Sequence, residues 1–201
     1  MKNYFCRSIT IMSTHRHFLI YKPFGYLSQF IYNLKRNKKL LGELHDFPEG
    51  IMAIGRLDED SEGLLLLTTD GMMSEIVRSK KVEKEYYAQV DGLINQDAVE
   101  MLKQGVEIGF KGTRYTTLPC EAHIVKEKPN FPERGRKIRD ERHGPTSWVS
   151  ITVNEGKFRQ VRKMTAAVGF PTLRLVRVRI GNTHLNDLQP GAVLEVNEFD
   201  V

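Results

Sequence analysis

The run Gly55-Arg56-Leu57-Asp58-Glu59-Asp60-Ser61-Glu62-Gly63 sets four carboxylates and one guanidinium between two glycines. A carboxylate in such a loop can attack as a nucleophile, move a proton, hold a cation or simply face water. The calcium-loop pattern does not fit, because the acidic spacing is wrong and no terminal bidentate Glu follows. A second set of candidates lies at Arg159, Arg162 and Lys163, spaced i, i+3, i+4 after Glu155-Gly156. That spacing puts three cations on neighbouring positions of one helical face, where their repulsion would be relieved by an anionic partner. The cysteines are Cys6 and Cys120 alone, which excludes a disulfide framework and argues against a structural zinc site.

These groups need elements to hold them. Leu64 to Leu67 are four apolar residues without alternation, which suits a short strand buried on both faces. Thr68-Thr69-Asp70 then reads as a helix start, with Asp70 as N-cap for 71–78 and Met72, Met73, Ile76 and Val77 at helical spacing. Asp58 therefore lies on a loop anchored by a buried strand, at the edge of a core. His17 to Lys22 reads as a strand ended by the Pro23-Phe24-Gly25 turn. In the strand of 80–91, Tyr86, Ala88 and Val90 share one face, with Tyr87 and Gln89 on the other. A helix is expected over 95–105, capped by Asn95 and closed by Gly105. Further strands are expected over 117–126, with Cys120 as a buried small hydrophobe, and over 147–154. A helix over 157–168 and strands over 173–181 and 188–196 complete the chain. No βαβ rhythm and no G-x-G-x-x-G occur, so a dinucleotide fold is excluded. The expected class is α+β, with a mixed and largely antiparallel central sheet, flanking helices and two lobes around a cleft.

The 201 residues suit a single domain, and 40% apolar content suffices for a core. A net charge of +5 favours a polyanionic partner. Basic residues concentrate at Lys35, Arg36, Lys38 and Lys39, and again in the irregular stretch 126–145, which holds Arg134 and Arg136. No run approaches a membrane span, and no secretory signal is legible, so a cytoplasmic protein is expected.

The segment GRLDEDSEGLLLLTTDG resembles the catalytic motif of the pseudouridine synthases that modify ribosomal RNA. The similarity is to the branch that includes the small-subunit enzyme and its short large-subunit relatives. The resemblance extends over about 17–196. It implies that Asp58 is the essential residue and that Arg56 can fill the space a flipped base vacates. Tyr21-Lys22-Pro23-Phe24-Gly25-Tyr26-Leu27-Ser28 resembles the family's first motif, which places Lys22 at the border of the cleft. Lys84-Glu85-Tyr86 resembles the Lys-x-Tyr motif, whose tyrosine stacks on the target base. Glu155 to Met164 resembles the third motif, in which the Arg matching Arg162 pairs with the catalytic Asp. That pairing would lower the pKa of Asp58 by about 1 to 3 units. Leu173 to Gly181 resembles the closing segment, with Leu175 against the nucleoside pocket.

The implied reaction breaks the N1–C1′ bond of uridine, turns the base and rejoins it through C5. It is redox-neutral, so no cofactor and no metal are expected. The carboxylate could add covalently or take a sugar proton; both remain open. The implied partner is ribosomal RNA, 23S before 16S or transfer RNA, with a non-catalytic RNA-binding module as the rival. Candidate RNA contacts are Lys22, Lys35, Arg36, Arg134, Arg136, Arg159 and Lys163. The stretch 126–145 is expected to be a mobile arm that orders on binding. Many relatives carry an extra N-terminal RNA-binding domain. Residues 1–15 are too few for one and read as a loose tail, so target choice is expected to rest on a catalytic domain over 16–201, acting as a monomer.

Overall fold

The structure is a computed structural model that describes residues 15–31, 38–79, 82–110, 112–138 and 141–201. The strands are β1 His17–Lys22, β2 Tyr26–Leu27, β3 Lys39–Leu40, β4 Met52–Ala53, β5 Glu62–Thr68, β6 Lys84–Asp91, β7 Glu107–Phe110, β8 Thr113–Thr116, β9 Glu121–Val125, β10 Thr146–Val153, β11 Thr172–Ile180, β12 Thr183–His184 and β13 Val193–Val196. The helices are α1 Gly71–Arg78, α2 Gln96–Gln104 and α3 Gln160–Ala167. The main sheet runs β13-β1-β5-β11-β6-β10-β9, with β4 on β5 and β12 on β11. Its pairs are antiparallel except β5 with β11. This is the expected α+β class with a mixed, mostly antiparallel sheet.

Strand β5 is buried along its whole length, which explains its unbroken leucines. Leu64 and Leu66 join Tyr21, Val77, Val176 and Ile180 on one face of the sheet. Leu65 and Leu67 join Phe18, Ile20, Leu41 and Leu57 on the other. A third core lies under α2 and α3, built from Ala88, Val90, Val149, Ile151, Leu102, Val161 and Met164. The parallel register pairs Val176 with Glu62 and Arg177 with Gly63. Gly63 is required there: its φ is +103°, and a Cβ would lie 2.3 Å from the Arg177 carbonyl oxygen. Leu175 is thereby set alongside the turn that precedes β5.

The local caps form as expected. Asp70 accepts from the Met72 N–H, and Asn95 accepts from the Ala98 N–H. Helix α1 nevertheless faces differently from its pattern: Ser74 and Val77 are buried, while Met72 and Ile76 are exposed. The strand expected over 117–126 is shorter, at Glu121–Val125. The hairpin β7–β8 has no counterpart in the sequence reading. Helix α3 begins at Gln160, because Arg159 adopts a left-handed φ of 53° and turns the chain just ahead of it.

The stretch after β9 is not a free arm in its described part, 126–138. Phe131 packs at 6.0 Å from the Tyr87 ring and 5.6 Å from Trp148. Arg174 Nη2 donates to the Pro132 carbonyl at 2.8 Å. The Arg134 guanidinium stacks 4.6 Å over Phe24. One aromatic anchor, one hydrogen bond and one cation–π contact dock the segment. No helix among the described residues is long and apolar enough to cross a membrane.

Candidate active site

The loop ahead of β5 is held from beneath by three residues. Ser28 Oγ donates to the Leu57 carbonyl at 2.8 Å and accepts from the Leu57 N–H at 3.0 Å. The Gly25 N–H donates to the Glu59 carbonyl at 2.8 Å. Lys22 Nζ donates to the Ser61 carbonyl at 2.8 Å and to that of Pro23 at 3.0 Å. The Ser61 N–H closes the loop on the Asp58 carbonyl at 3.0 Å. The end of β1 and the segment through β2 therefore hold the loop that carries Asp58.

Above that loop lies a cleft of about 560 Å³, a size common for small-molecule sites. Arg56, Asp58, Tyr86, Phe158, Arg159 and Leu175 all line it. Four of the five expected active-site residues, Arg56, Asp58, Tyr86 and Leu175, thus meet in one cavity although 119 positions of sequence separate the first from the last. Arg56 is exposed at the mouth, Asp58 is half-buried, and Leu175 is 5% exposed. The Tyr86 hydroxyl accepts a long hydrogen bond from Arg177 Nη1 at 3.4 Å.

The fifth, Arg162, stands behind this group. Its Nη2 donates to the Asp60 carbonyl at 2.8 Å and approaches the Asp60 carboxylate at 3.5 Å. The guanidinium that reaches Asp58 is that of Arg159, with Nη1 at 3.5 Å from Oδ2. Arg159 also grips the Asp60 carboxylate with two bonds, at 2.9 and 2.8 Å. The Arg162–Asp58 pair of the sequence reading is thus replaced by a network in which Asp60 binds both arginines. The reason is local: the left-handed backbone at Arg159 sends its side chain over the loop.

Burial raises the Asp58 pKa above its ordinary value, and the Asp60 charge adds to the rise. Arg159, Arg162 and Lys22 oppose it without cancelling it. The expected lowering is therefore reversed in sign. Asp60 goes the other way: burial pushes it up, but the Arg159 hydrogen bonds and the Arg162 and Arg159 charges prevail and hold it below the usual range. The two neighbouring carboxylates are driven apart.

Lys22 is fully buried and bonded to two carbonyls, so it braces the loop that carries Asp58 and cannot touch RNA phosphates; burial pulls its pKa down to about 8. Arg134 has a nearly buried side chain 4.0 Å from Glu62. Arg136 is exposed. Lys163 Nζ donates to the Gly109 carbonyl at 2.7 Å, tying α3 to hairpin β7–β8. Lys35 and Arg36 lie outside the described residues. Glu155, the first residue of the third motif, has a role that its sequence position does not signal. It is 6% exposed and accepts from Tyr115 Oη at 2.6 Å, the Leu118 N–H at 3.0 Å and Gln160 Nε2 at 2.7 Å. It fastens the turn that carries Phe158 and Arg159.

The sequence pattern described as RNA pseudouridylate synthase matches residues 16–167, which include Asp58, Tyr86, Arg159 and Arg162. The chain belongs to the RNA pseudouridylate synthase family. It is 42% identical over 178 residues to the ribosomal large subunit pseudouridine synthase E of Vibrio vulnificus, covering 88% of this chain and 73% of that one. It is 40% identical over 174 residues to the protein of the same name from Xanthomonas axonopodis pv. citri, covering 86% and 89%. A crystal structure titled as a pseudouridylate synthase superposes with a TM-score of 0.72 at 25% identity, covering 90% of this chain and 70% of that one.

Proposed function

We propose that this protein isomerises a uridine of large-subunit (23S) ribosomal RNA to pseudouridine, with Asp58 as its catalytic residue. The observation that carries the reading is the meeting of Asp58 with Tyr86 and Leu175 in one cleft, on a loop braced by Ser28, Gly25 and Lys22. The target uridine leaves its stack to enter, at a cost of a few kcal/mol. Arg56, exposed at the mouth, takes the vacated place. The uracil stacks on Tyr86 and is covered by Leu175. Asp58 then acts on the nucleoside, either by adding to it or by taking a sugar proton. Arg159 holds the carboxylate charged and aimed. Arg162 and Asp60 hold Arg159 and the loop.

The large subunit is the favoured source of the target because the relatives cited above carry it in their names. The protein works as a monomer in the cytoplasm. The test uses RNA tritiated at uracil C5, which loses its label when C5 becomes the glycosidic carbon. Unmodified 23S, 16S and transfer RNA are offered separately. Release from 23S RNA is expected. Release from 16S or transfer RNA alone reassigns the substrate.

A further inference from the structure

The rim of the cleft beside α3 carries a set of rings and cations that the catalytic reading leaves without a task. Phe158 lies between Gly156-Lys157 and Arg159, lines the cleft, and is 67% exposed. An apolar ring that open contributes little to folding by burial. Yet it is firmly presented. Arg159, the next residue, has a left-handed backbone and a bidentate grip on Asp60, and buried Glu155 fastens the turn from the other side. Lys163 Nζ lies 5.3 Å over the Phe158 ring while it donates to Gly109. Lys157 Nζ lies 5.1 Å over Phe110 and 4.8 Å over Tyr115, so the hairpin continues the same arrangement. Aromatic faces interleaved with ammonium groups beside a base-sized cleft suit single-stranded RNA: rings stack bases and the cations draw phosphates.

We infer that Phe158 is a base-stacking platform for a nucleotide that flanks the target uridine, with Lys157 and Lys163 holding the adjoining phosphates. The inference rests on the proposed RNA substrate and names a contact outside the reacting nucleoside. Its physical logic follows from extrusion. A uridine drawn into the Asp58 cleft leaves two neighbouring bases each with one face unstacked; Arg56 in the vacated place serves one, and the exposed Phe158 ring replaces the lost partner of the other. Phe158 is thus a positioning residue for the RNA and takes no part in bond breaking.

The experiment measures the binding constant by filter retention and, separately, KM and kcat by tritium release, all with unmodified large-subunit ribosomal RNA. Phe158→Ala, Phe158→Leu and Phe158→Trp are compared with the wild type. Stacking requires the Ala and Leu variants to raise both the dissociation constant and KM about tenfold, the effect of ~1.4 kcal/mol, with kcat and the salt slope kept. Phe158→Trp retains wild-type values. Lys157→Ala and Lys163→Ala lower the salt slope instead. Wild-type binding by Phe158→Ala overturns the platform, and so does a Leu variant that binds as well as Trp, since that would show apolar contact without stacking. If the wild type binds but releases no tritium, the catalytic reading fails while the Phe158 series still decides the platform. Absence of any binding by the wild type overturns both.

Discussion

Arg159 reaches over the loop ahead of β5 to Asp58, its Nη1 standing 3.5 Å from Oδ2, and the same guanidinium clasps Asp60 through two shorter bonds. Two carboxylates share one cation. Asp60 takes most of it and is held ionised, whereas Asp58 is left with a longer contact and a raised pKa. Two neighbouring carboxylates pushed to different pKa values can serve different roles, one as the reacting group and one as the clamp.

Replacing Arg159 by Ala removes the nearest charge that lowers the Asp58 pKa, so that pKa rises further. The acid limb of the kcat/KM–pH profile then moves to higher pH, and turnover at neutral pH falls by about tenfold or more. Asp60→Asn frees Arg159 and lowers kcat too, without the same displacement of the limb. A limb that stays in place in Arg159→Ala would show that Arg159 does not control Asp58.

Lys22 offers a cleaner pH signature. Its ammonium is held below the ordinary 10.5, at about 8, by burial that the charges of Glu62, Asp60, Asp58 and Glu59 only partly offset. Between those two values the unfolded chain binds a proton that the folded chain has released. Stability from this group therefore rises with pH through the window from about 8 to 10.5 and is flat below it. Lys22→Met keeps much of the volume but lacks that rise, and it leaves the Ser61 and Pro23 carbonyls without their donor. Denaturant melts across the window should give a smaller upward slope for the variant, and tritium release should weaken at every pH. Identical slopes would contradict the buried ammonium.

Glu62 and Arg174 form a bidentate pair at 2.9 and 2.9 Å, with side chains 2% and 7% exposed, just where β5 meets β11. Removing one partner of such a pair strands the other charge. Glu62→Ala should therefore cost roughly 3–5 kcal/mol in urea unfolding, a large share of a small domain's stability. The double variant Glu62→Leu/Arg174→Met should recover most of that loss. A single variant within 1 kcal/mol of wild type would mean the pair behaves as a surface contact.

What the sequence made legible follows from local rules. The non-alternating leucines announced a strand buried on both faces, and Asp70 and Asn95 announced their helices through capping. Asp58, Tyr86 and Leu175 came from their motifs, and the sheet brings them together because β5 runs parallel to β11. What stayed hidden was tertiary. Nothing near Lys22 signals that an ammonium after a strand will be wholly enclosed by the loop it braces. The reach of Arg159 depends on one left-handed residue at a helix start, a conformation that L side chains rarely adopt. Phe131 is a single ring in a charged, proline-containing run, so its docking on Tyr87 and Trp148 could not be read from periodicity. Hairpin β7–β8 is short, largely exposed, and interrupted by Gly109 and Gly112, which blurs its alternation.

The central claim is that the Asp58 carboxylate performs the isomerisation. The measurement is single-turnover tritium release with saturating purified Asp58→Asn on unmodified 23S RNA, alongside filter binding of the same RNA. The substitution is close to isosteric, and it removes a charge that burial penalises, so the fold is retained. Binding close to that of the wild type and no detectable release are expected. Release by Asp58→Asn above background would contradict the claim and assign the chemistry to another residue of the cleft.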